Sequence, residues 1–215
     1  MADNAVVHVI DDDEALRESL TFLLNTAHFE VRTYESAQSF LDALPRAAPG
    51  CIITDMRMPG MTGLDLLRRV KSLEAGFPVI VVTGHGDVPL AVEAMKLGAV
   101  EFLEKPFDDD TLLAAVRAAL SLHEREAQRE AEKTEIHGRI DALSNRERQV
   151  LGGLVAGHPN KTIAYDLGIS PRTVEIYRAN VMTKMQAASL SDLVRMALIA
   201  GVIDNASTAG RPGRS

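Results

Sequence analysis

The first 107 residues alternate short apolar runs with amphipathic stretches. The runs predict strands at residues 5–10, 30–34, 51–54, 78–82 and 101–104, with helices between them. Signals that mark helix starts in the intervening stretches are Ser36, Thr62 with Asp65, and Asp87 followed by Pro89. The run from Val79 to Val82 is apolar at every position, so both faces of its sheet must be covered. The pattern predicts an α/β domain: a doubly wound, five-stranded parallel sheet flanked by helices.

A long helix is predicted next, because residues 108–137 contain neither glycine nor proline. Its first half carries apolar positions that can pack on the sheet, but residues 121–135 offer only Leu122, Ala127 and Ala131. That half is too polar to be buried. We expect either a solvated helical linker or a thinly packed two-chain coiled coil.

The chain after Leu143 has the pattern of an all-α domain. Ser144 and Glu147 form a predicted capping box, and further helices are predicted at residues 160–167, 171–185 and 190–203. The turn Gly168-Ile169-Ser170 makes the middle pair a helix-turn-helix, although a plain helical hairpin has the same spacing. The predicted organisation is a first domain at 1–122, a linker at 123–140, a four-helix domain at 141–205 and a disordered tail at 206–215.

Charge divides the chain in the same way. The net charge is −7 overall, but residues 1–122 hold 10 basic and 19 acidic residues, whereas residues 141–215 hold 9 basic and 6 acidic ones. An acidic front and a mildly basic back indicate two modules with different partners, the second compatible with DNA. No apolar run approaches the length of a membrane span, so we expect a cytoplasmic protein that binds no membrane.

Polar residues follow four of the five predicted strands. Asp11 and Asp12 follow the first strand, Asp55 the third, Thr83 the fourth and Lys105 the fifth. The carboxyl ends of parallel strands meet at one edge of a sheet, where clustered carboxylates favour a hard cation such as Mg²⁺. Lys105 and Thr83 then suit phosphoryl oxygens, and Asp55 is the expected nucleophile. Singly, such residues are commonly helix caps or solvated turns, and only the joint pattern predicts a phosphoryl-transfer site.

The second helix of the helix-turn-helix has two distinct faces. Val174, Val181 and Met185 fall on one face of a helical wheel and are expected to pack. The opposite face is formed by Arg172, Ile176, Ala179 and Thr183. Short side chains flanked by basic ones can enter a major groove without a clash.

Several motifs make residues 1–122 resemble a two-component receiver domain: the Asp11-Asp12 pair, Asp55-Met-Arg-Met-Pro-Gly, Thr83-Gly and Lys105-Pro-Phe. The resemblance implies phosphorylation of Asp55, and Mg²⁺ held by Asp11, Asp12, Asp55 and the carbonyl of Arg57. It also implies a frequently cis Lys105-Pro106 bond and a switch pair, Thr83 and Phe102, in which Phe102 turns inward from an exposed rotamer.

Phosphorylation adds charge at Asp55, and this change is expected to remodel the neighbouring surface of the fourth helix and fifth strand. Val92, Lys96 and Glu101 lie on that face and are candidates for a phosphorylation-dependent dimer contact. The alternative is that they are ordinary surface residues.

Residues 141–203 resemble the LuxR-type DNA-binding domain. The resemblance rests on Leu143-Ser-Asn-Arg-Glu-Arg-Gln-Val-Leu, Gly157-His-Pro-Asn-Lys-Thr-Ile-Ala and Ile169-Ser-Pro-Arg-Thr-Val. It implies base-edge contacts by Glu175, Ile176 and Ala179, and phosphate contacts by Lys161, Arg172, Thr173, Arg178 and Lys184. Tyr177 departs from the histidine usual in that family.

Together the two modules resemble response regulators of the FixJ subfamily. That resemblance implies a non-enzymatic activator of nitrogen-fixation genes at low oxygen, phosphorylated by a FixL-like haem-containing sensor histidine kinase. The implied partners are promoter DNA, RNA polymerase and a second copy of the phosphorylated chain. Two alternatives remain: a haloacid dehalogenase-type phosphatase, which needs Asp-x-Asp after strand one, and a constitutive activator whose receiver serves only as a protein contact.

Overall fold

A computed structural model describes residues 6–84 and 88–202 of the chain. The chain divides into two compact units, with the division between Ala127 and Gln128. Within the described ranges, no helix has the length and apolar character needed to cross a membrane. The predicted disordered tail, Asp87 and residue 5 lie outside the described residues.

The first unit is built on a parallel sheet of five described strands in the order β2-β1-β3-β4-β5. The strands are β1 Val6–Ile10, β2 Glu30–Tyr34, β3 Gly50–Asp55, β4 Val79–Thr83 and β5 Glu101–Glu104. All four strand pairings are parallel. Strands β1, β3 and β4 are buried along their whole length, because their apolar residues face helices on both sides.

Helices cover both faces of this sheet. They are α1 Glu14–Thr26, α2 Ala37–Ala43 with a 3-10 turn at Leu44–Arg46, α3 Gly63–Ser72, α4 Val88–Lys96 and α5 Asp109–Asp141. Alternate strand residues point to opposite faces of the sheet. Those on one face pack in a cluster with Phe40, Leu67 and Ala94, and those on the other face pack in a cluster with Leu24 and Val116. The predicted doubly wound fold is confirmed.

The helix starts follow local side-chain chemistry. Ser36 and Thr62 each form a capping box, with Ser39 and Asp65 respectively. The side chain of Asp13 accepts hydrogen bonds from the first amides of α1. These caps satisfy amides that have no partner inside the helix, so the predicted starts at Ser36 and Thr62 are confirmed.

The second unit contains the end of α5 and four further described helices. These are α6 Asn145–Val155, α7 Asn160–Leu167, α8 Pro171–Met185 and α9 Leu190–Ile199. Ser144 and Glu147 form the predicted capping box of α6. Helix α7 is capped by Gly168, whose φ of 64° is the left-handed conformation that glycine adopts without strain. Helix α9 ends four residues earlier than predicted, at Ile199.

The long helix α5 changes character along its length. Residues 125–135 are exposed, as their polar composition predicts. Ile136, however, is only 3% exposed and packs with Leu143 and Val150 in the core of the second unit. The last turns of α5 are therefore part of that core rather than a solvated linker. The predicted domain bounds at residues 122 and 141 stay predictions.

Candidate functional site

Two buried aspartates lie at the carboxyl edge of the sheet. Asp11 follows β1 directly, and Asp55 is the last residue of β3, the strand that pairs with β1. Asp11 is 2% exposed and Asp55 is 7% exposed. Adjacent strands end together in a parallel sheet, so the fold brings these carboxylates close to each other.

Lys105 joins the two carboxylates. Its Nζ atom donates to Asp55 Oδ1 at 2.6 Å and to Asp11 Oδ2 at 3.1 Å. The Lys105 backbone amide donates to the carbonyl of Thr83 at 2.7 Å, which ties it to the end of β4. Thr83 is buried, and the Lys105-Pro106 peptide is cis. Asp11, Asp55, Thr83 and Lys105 thus come together, as the sequence predicts.

The electrostatics of this pocket are unbalanced. Burial raises the pKa of Asp11, with a small further contribution from Asp55, although the Asp13 amide and Lys105 act in the opposite direction. Burial opposes the charged form of Lys105, but hydrogen bonds to Asp55 and Asp11 outweigh that effect and raise the pKa of Lys105. One ammonium is shared by two carboxylates, which leaves the pocket attractive to a further cation.

The loop after β3 is folded closely around Asp55. The Arg57 amide donates to Asp55 Oδ2 at 2.6 Å, and the Gly63 amide donates to the Met56 carbonyl at 3.0 Å. A Cβ atom at residue 63 would lie 2.3 Å from the Asp55 carbonyl oxygen, so only glycine fits at that position. The carboxylate is therefore held by its own loop.

The helix-turn-helix of the second unit has the predicted bounds. Ser170 caps α8 by accepting from the Thr173 amide at 3.1 Å, and Pro171 occupies the first turn. Val174, Val181 and Met185 are fully buried. The exposed residues of α8 include Arg172, Glu175, Ile176, Ala179 and Thr183. The two predicted faces are confirmed, and Ile176 is a large apolar side chain left 57% exposed.

Two family models match the chain: response regulator receiver domain over residues 7–117, and bacterial regulatory proteins, luxR family, over residues 141–197. The chain is 61% identical over 202 residues to a transcriptional regulatory protein FixJ from Azorhizobium caulinodans, covering 94% of this chain and 96% of that relative. The chain belongs to the FixJ-like response regulators. It is a two-component response regulator with a receiver and a LuxR-type DNA-binding domain.

Solved structures agree with this assignment. The response regulator StyR, known at low resolution, is 40% identical with a TM-score of 0.80, covering 91% of this chain and 98% of StyR. Full-length FixJ from B. japonicum is 57% identical with a TM-score of 0.58, covering 92% and 98%. Receiver domains generally bind Mg²⁺ at the acidic phosphorylation site, and this pair of domains implies a sensor kinase and promoter DNA as partners.

The donor set of this response regulator suits a hard cation only in part. Asp11 and Asp55 are oxygen donors that already share one cationic group, the Lys105 ammonium. Asp12 and Arg57 are exposed. Within residues 6–84 and 88–202, no three His, Cys, Asp or Glu side chains are grouped to hold a metal ion. The structure therefore unites two of the three predicted carboxylates.

The phosphatase alternative meets a local obstacle. Asp13, which would complete Asp-x-Asp after β1, accepts hydrogen bonds from the amides of Ala15 and Leu16 as the cap of α1. The Oδ1 atom of Asp13 is therefore already occupied by the cap of α1. The matched families favour neither this alternative nor the constitutive activator.

The predicted switch and dimer residues lie near β5. Phe102 is half-buried against the cluster that contains Ala94, and so differs from the exposed rotamer expected from sequence. Val92 and Lys96 are exposed one turn apart on α4, and Glu101 is exposed at the start of β5. Their role in dimerisation stays a prediction.

The predicted DNA contacts differ in how accessible they are. Lys161, Arg172, Glu175, Ile176 and Ala179 are exposed, whereas Thr173 and Arg178 are half-buried. The Thr173 hydroxyl is 2.8 Å from that of Ser170. Tyr177, where the sequence departs from the family, packs partly against the core.

Lys184 is also exposed, but its ammonium is paired with a carboxylate of the second unit. Its Nζ atom lies 2.7 Å from Oε2 of Glu147, a residue only 4% exposed. Hydrogen bonds from Lys184 and from the Ser144 amide lower the pKa of Glu147 to about 2. Sequence reasoning assigned Glu147 only to the capping box and Lys184 to DNA phosphates. It missed the pair because the two residues are 37 positions apart.

Proposed function

We propose that Asp55 accepts a phosphoryl group from a sensor histidine kinase and that this event controls promoter binding. The observation that carries the proposal is the Lys105 ammonium, which is hydrogen-bonded to both Asp55 and Asp11 at 2.6 and 3.1 Å. A cation beside the acceptor carboxylate is placed to contact the oxygens of an incoming phosphoryl group.

The chemistry is an in-line displacement. A carboxylate oxygen of Asp55 attacks the phosphorus of the kinase's phosphohistidine, and the new P–O bond forms as the P–N bond breaks. The electron pair of the broken bond stays on the imidazole nitrogen. Asp11, Asp55, the exposed Asp12 and the Arg57 carbonyl would hold Mg²⁺, which would neutralise charge on the transferring oxygens. Lys105 then exchanges its hydrogen bond to Asp55 for one to the phosphoryl group.

The added charge and acceptor oxygens are the switch. We expect the Thr83 hydroxyl to bond to the phosphoryl group and Phe102 to complete its inward turn. The surface of α4 and β5 changes, and Val92, Lys96 and Glu101 pair with a second copy of the phosphorylated chain. Dimerisation brings two α8 helices to adjacent half-sites of promoter DNA.

In the DNA complex, α8 enters the major groove. Glu175, Ile176 and Ala179 read base edges, and phosphate contacts come from Lys161, Arg172, Thr173, Arg178 and Lys184. The exposed face of α8 supports this orientation. By analogy with its FixJ relatives, the protein recruits RNA polymerase to nitrogen-fixation genes at low oxygen, in the cytoplasm, under a FixL-like kinase.

Replacing Asp55 with Asn tests this function. The variant is incubated with a small acyl phosphate and Mg²⁺, and phosphorylation is read as the mass increment of one phosphoryl group. We expect no increment for Asp55→Asn and no gain in affinity for promoter DNA. The exposed Asp42→Asn is the matched control and keeps both responses. Phosphorylation or a DNA-binding response that survives in Asp55→Asn contradicts the proposal.

A further inference from the structure

The end of the DNA-reading helix α8 is tied to the long helix α5. Arg139, near the end of α5, donates from Nη1 to the carbonyl oxygen of Met185 at 2.9 Å. Its Nη2 atom donates to Glu135 Oε1, one turn earlier, at 2.7 Å. Met185 is the last residue of α8 and is fully buried. A side chain outside the helix-turn-helix therefore contacts the terminus of the helix that faces DNA.

This contact completes the cap of α8. The final carbonyls of a helix have no partner in the next turn and need donors from elsewhere. The amides of Gln186 and Ala187 donate to the carbonyls of Thr183 and Met182. The Met185 carbonyl receives the guanidinium of Arg139 instead, which also places a positive charge at the negative end of the helix dipole.

Arg139 is poorly placed to bind DNA itself. Its side chain is 19% exposed, and its guanidinium is already shared between two acceptors within the protein. Arginine suits this position because its fixed fork of donors can reach a carboxylate and a carbonyl at once, which a lysine ammonium does less well.

We propose that Arg139 is a positioning residue for DNA recognition: it fixes the C-terminal end of α8 on α5 so that the base-reading side chains stay in register with the groove. The inference rests on the proposed function of α8. It extends the DNA-binding module back into α5, beyond the residues that the luxR family model covers. Without the contact, the last turn of α8 frays and the helix tilts relative to the groove. The tilt weakens all base-edge contacts together, because each depends on the alignment of the helix with the base pairs.

The test compares Arg139→Ala with Arg148→Ala in the full chain. Arg148→Ala is the matched control, because it removes the same charge, while the hydrogen bonds of Arg148 to described residues go to Leu143 and Asp141 and not to α8. The probe is the duplex that the phosphorylated wild type selects from a randomised library, with an unrelated duplex of equal length beside it. We expect Arg139→Ala to bind the selected duplex about tenfold more weakly than Arg148→Ala does.

Salt dependence and hydrogen exchange separate positioning from other roles. We expect equal slopes of log Kd against log salt for the two variants, and faster amide exchange in the last turn of α8 only in Arg139→Ala. Arg139→Lys, which keeps one donor for the Met185 carbonyl, should recover part of the affinity.

Three results would overturn the inference. If the slope of log Kd against log salt were smaller by about one in Arg139→Ala than in Arg148→Ala, Arg139 would be a phosphate contact. Affinities equal to those of Arg148→Ala, with or without faster exchange, would leave Arg139 a structural residue only. A wild type that selects no duplex would overturn the proposed function, and this inference with it.

Discussion

Both units contain a lysine bonded to a buried carboxylate, yet the two sites differ in charge balance. In the first unit, Lys105 is shared by Asp11 and Asp55 at 3.1 and 2.6 Å. In the second unit, Lys184 pairs at 2.7 Å with one carboxylate, that of Glu147, and also donates to the Ala142 carbonyl at 3.4 Å. Glu147 Oε2 accepts in addition from the Ser144 amide. The first site holds one more negative charge than positive, whereas the second is balanced.

This difference separates the proposed phosphorylation site from a structural ion pair. Two carboxylates around one ammonium repel each other, and a cation or a change of charge at Asp55 relieves that repulsion. A single carboxylate with one ammonium and one backbone donor carries no excess negative charge that would attract a further cation. The lysine–carboxylate distances of the two sites are therefore similar, and we infer their different roles from their different net charges.

Glu147→Gln is expected to have the largest effect on stability. It removes the charge of a buried carboxylate that accepts hydrogen bonds from the Lys184 ammonium and the Ser144 amide, so the free energy of unfolding of the second unit should fall by about 2 kcal/mol. Hydrogen exchange of the buried amides in α6 and α8 measures the change. The control is Glu132→Gln, which removes an exposed partner of Arg195. Equal effects of the two substitutions would show that the burial of Glu147 is unimportant.

The pH dependence identifies the group responsible. The folded pKa of Glu147 is lowered to about 2 from an ordinary value of 4.5, so its contribution to stability is complete above pH 4.5. As the pH falls from 4.5 towards 2, the folded state loses that contribution. The stability difference between wild type and Glu147→Gln should therefore shrink over this range, and a constant difference would contradict the assignment.

Asp55→Asn should act in the opposite direction on the first unit. Removing one of two like charges around Lys105 should raise the free energy of unfolding by about 1 kcal/mol, because the relief of repulsion exceeds the lost hydrogen bond. Hydrogen exchange of the amides in β1 and β3 measures this change, with Asp42→Asn as the control. A loss of stability like that of Glu147→Gln would mean that the two sites are not different in kind.

Arg68→Ala should have the smallest effect. Arg68 on α3 pairs with Glu93 on α4 and with Asp65, but all three side chains are about half exposed. Exposed pairs are screened by water, so we expect the free energy of unfolding to change by less than about 0.5 kcal/mol. The same exchange experiment on the amides of α3 and α4 checks it. A change as large as that of Glu147→Gln would show that pairing alone, without burial, sets the stability.

The sequence predicted most of the architecture, because local patterns carry that information. The five strands, the caps at Ser36, Thr62 and Ser144, and the two faces of α8 all follow from periodicity and capping chemistry over a few residues. The meeting of Asp11, Asp55 and Lys105 was also predictable, since parallel strands end at one edge. The burial of Ile136 was not predictable, because the residue follows a long polar stretch that by itself indicates an exposed helix.

The sequence by itself determined the elements, their order and the residues that end each strand, because each depends on neighbours along the chain. Only the tertiary structure decided that Lys184 pairs with Glu147 and that Arg139 reaches the Met185 carbonyl. These partners are 37 and 46 positions apart and lie on helices whose contact depends on how they cross. A crossing geometry is set by the packing of the whole core, and no local pattern encodes it.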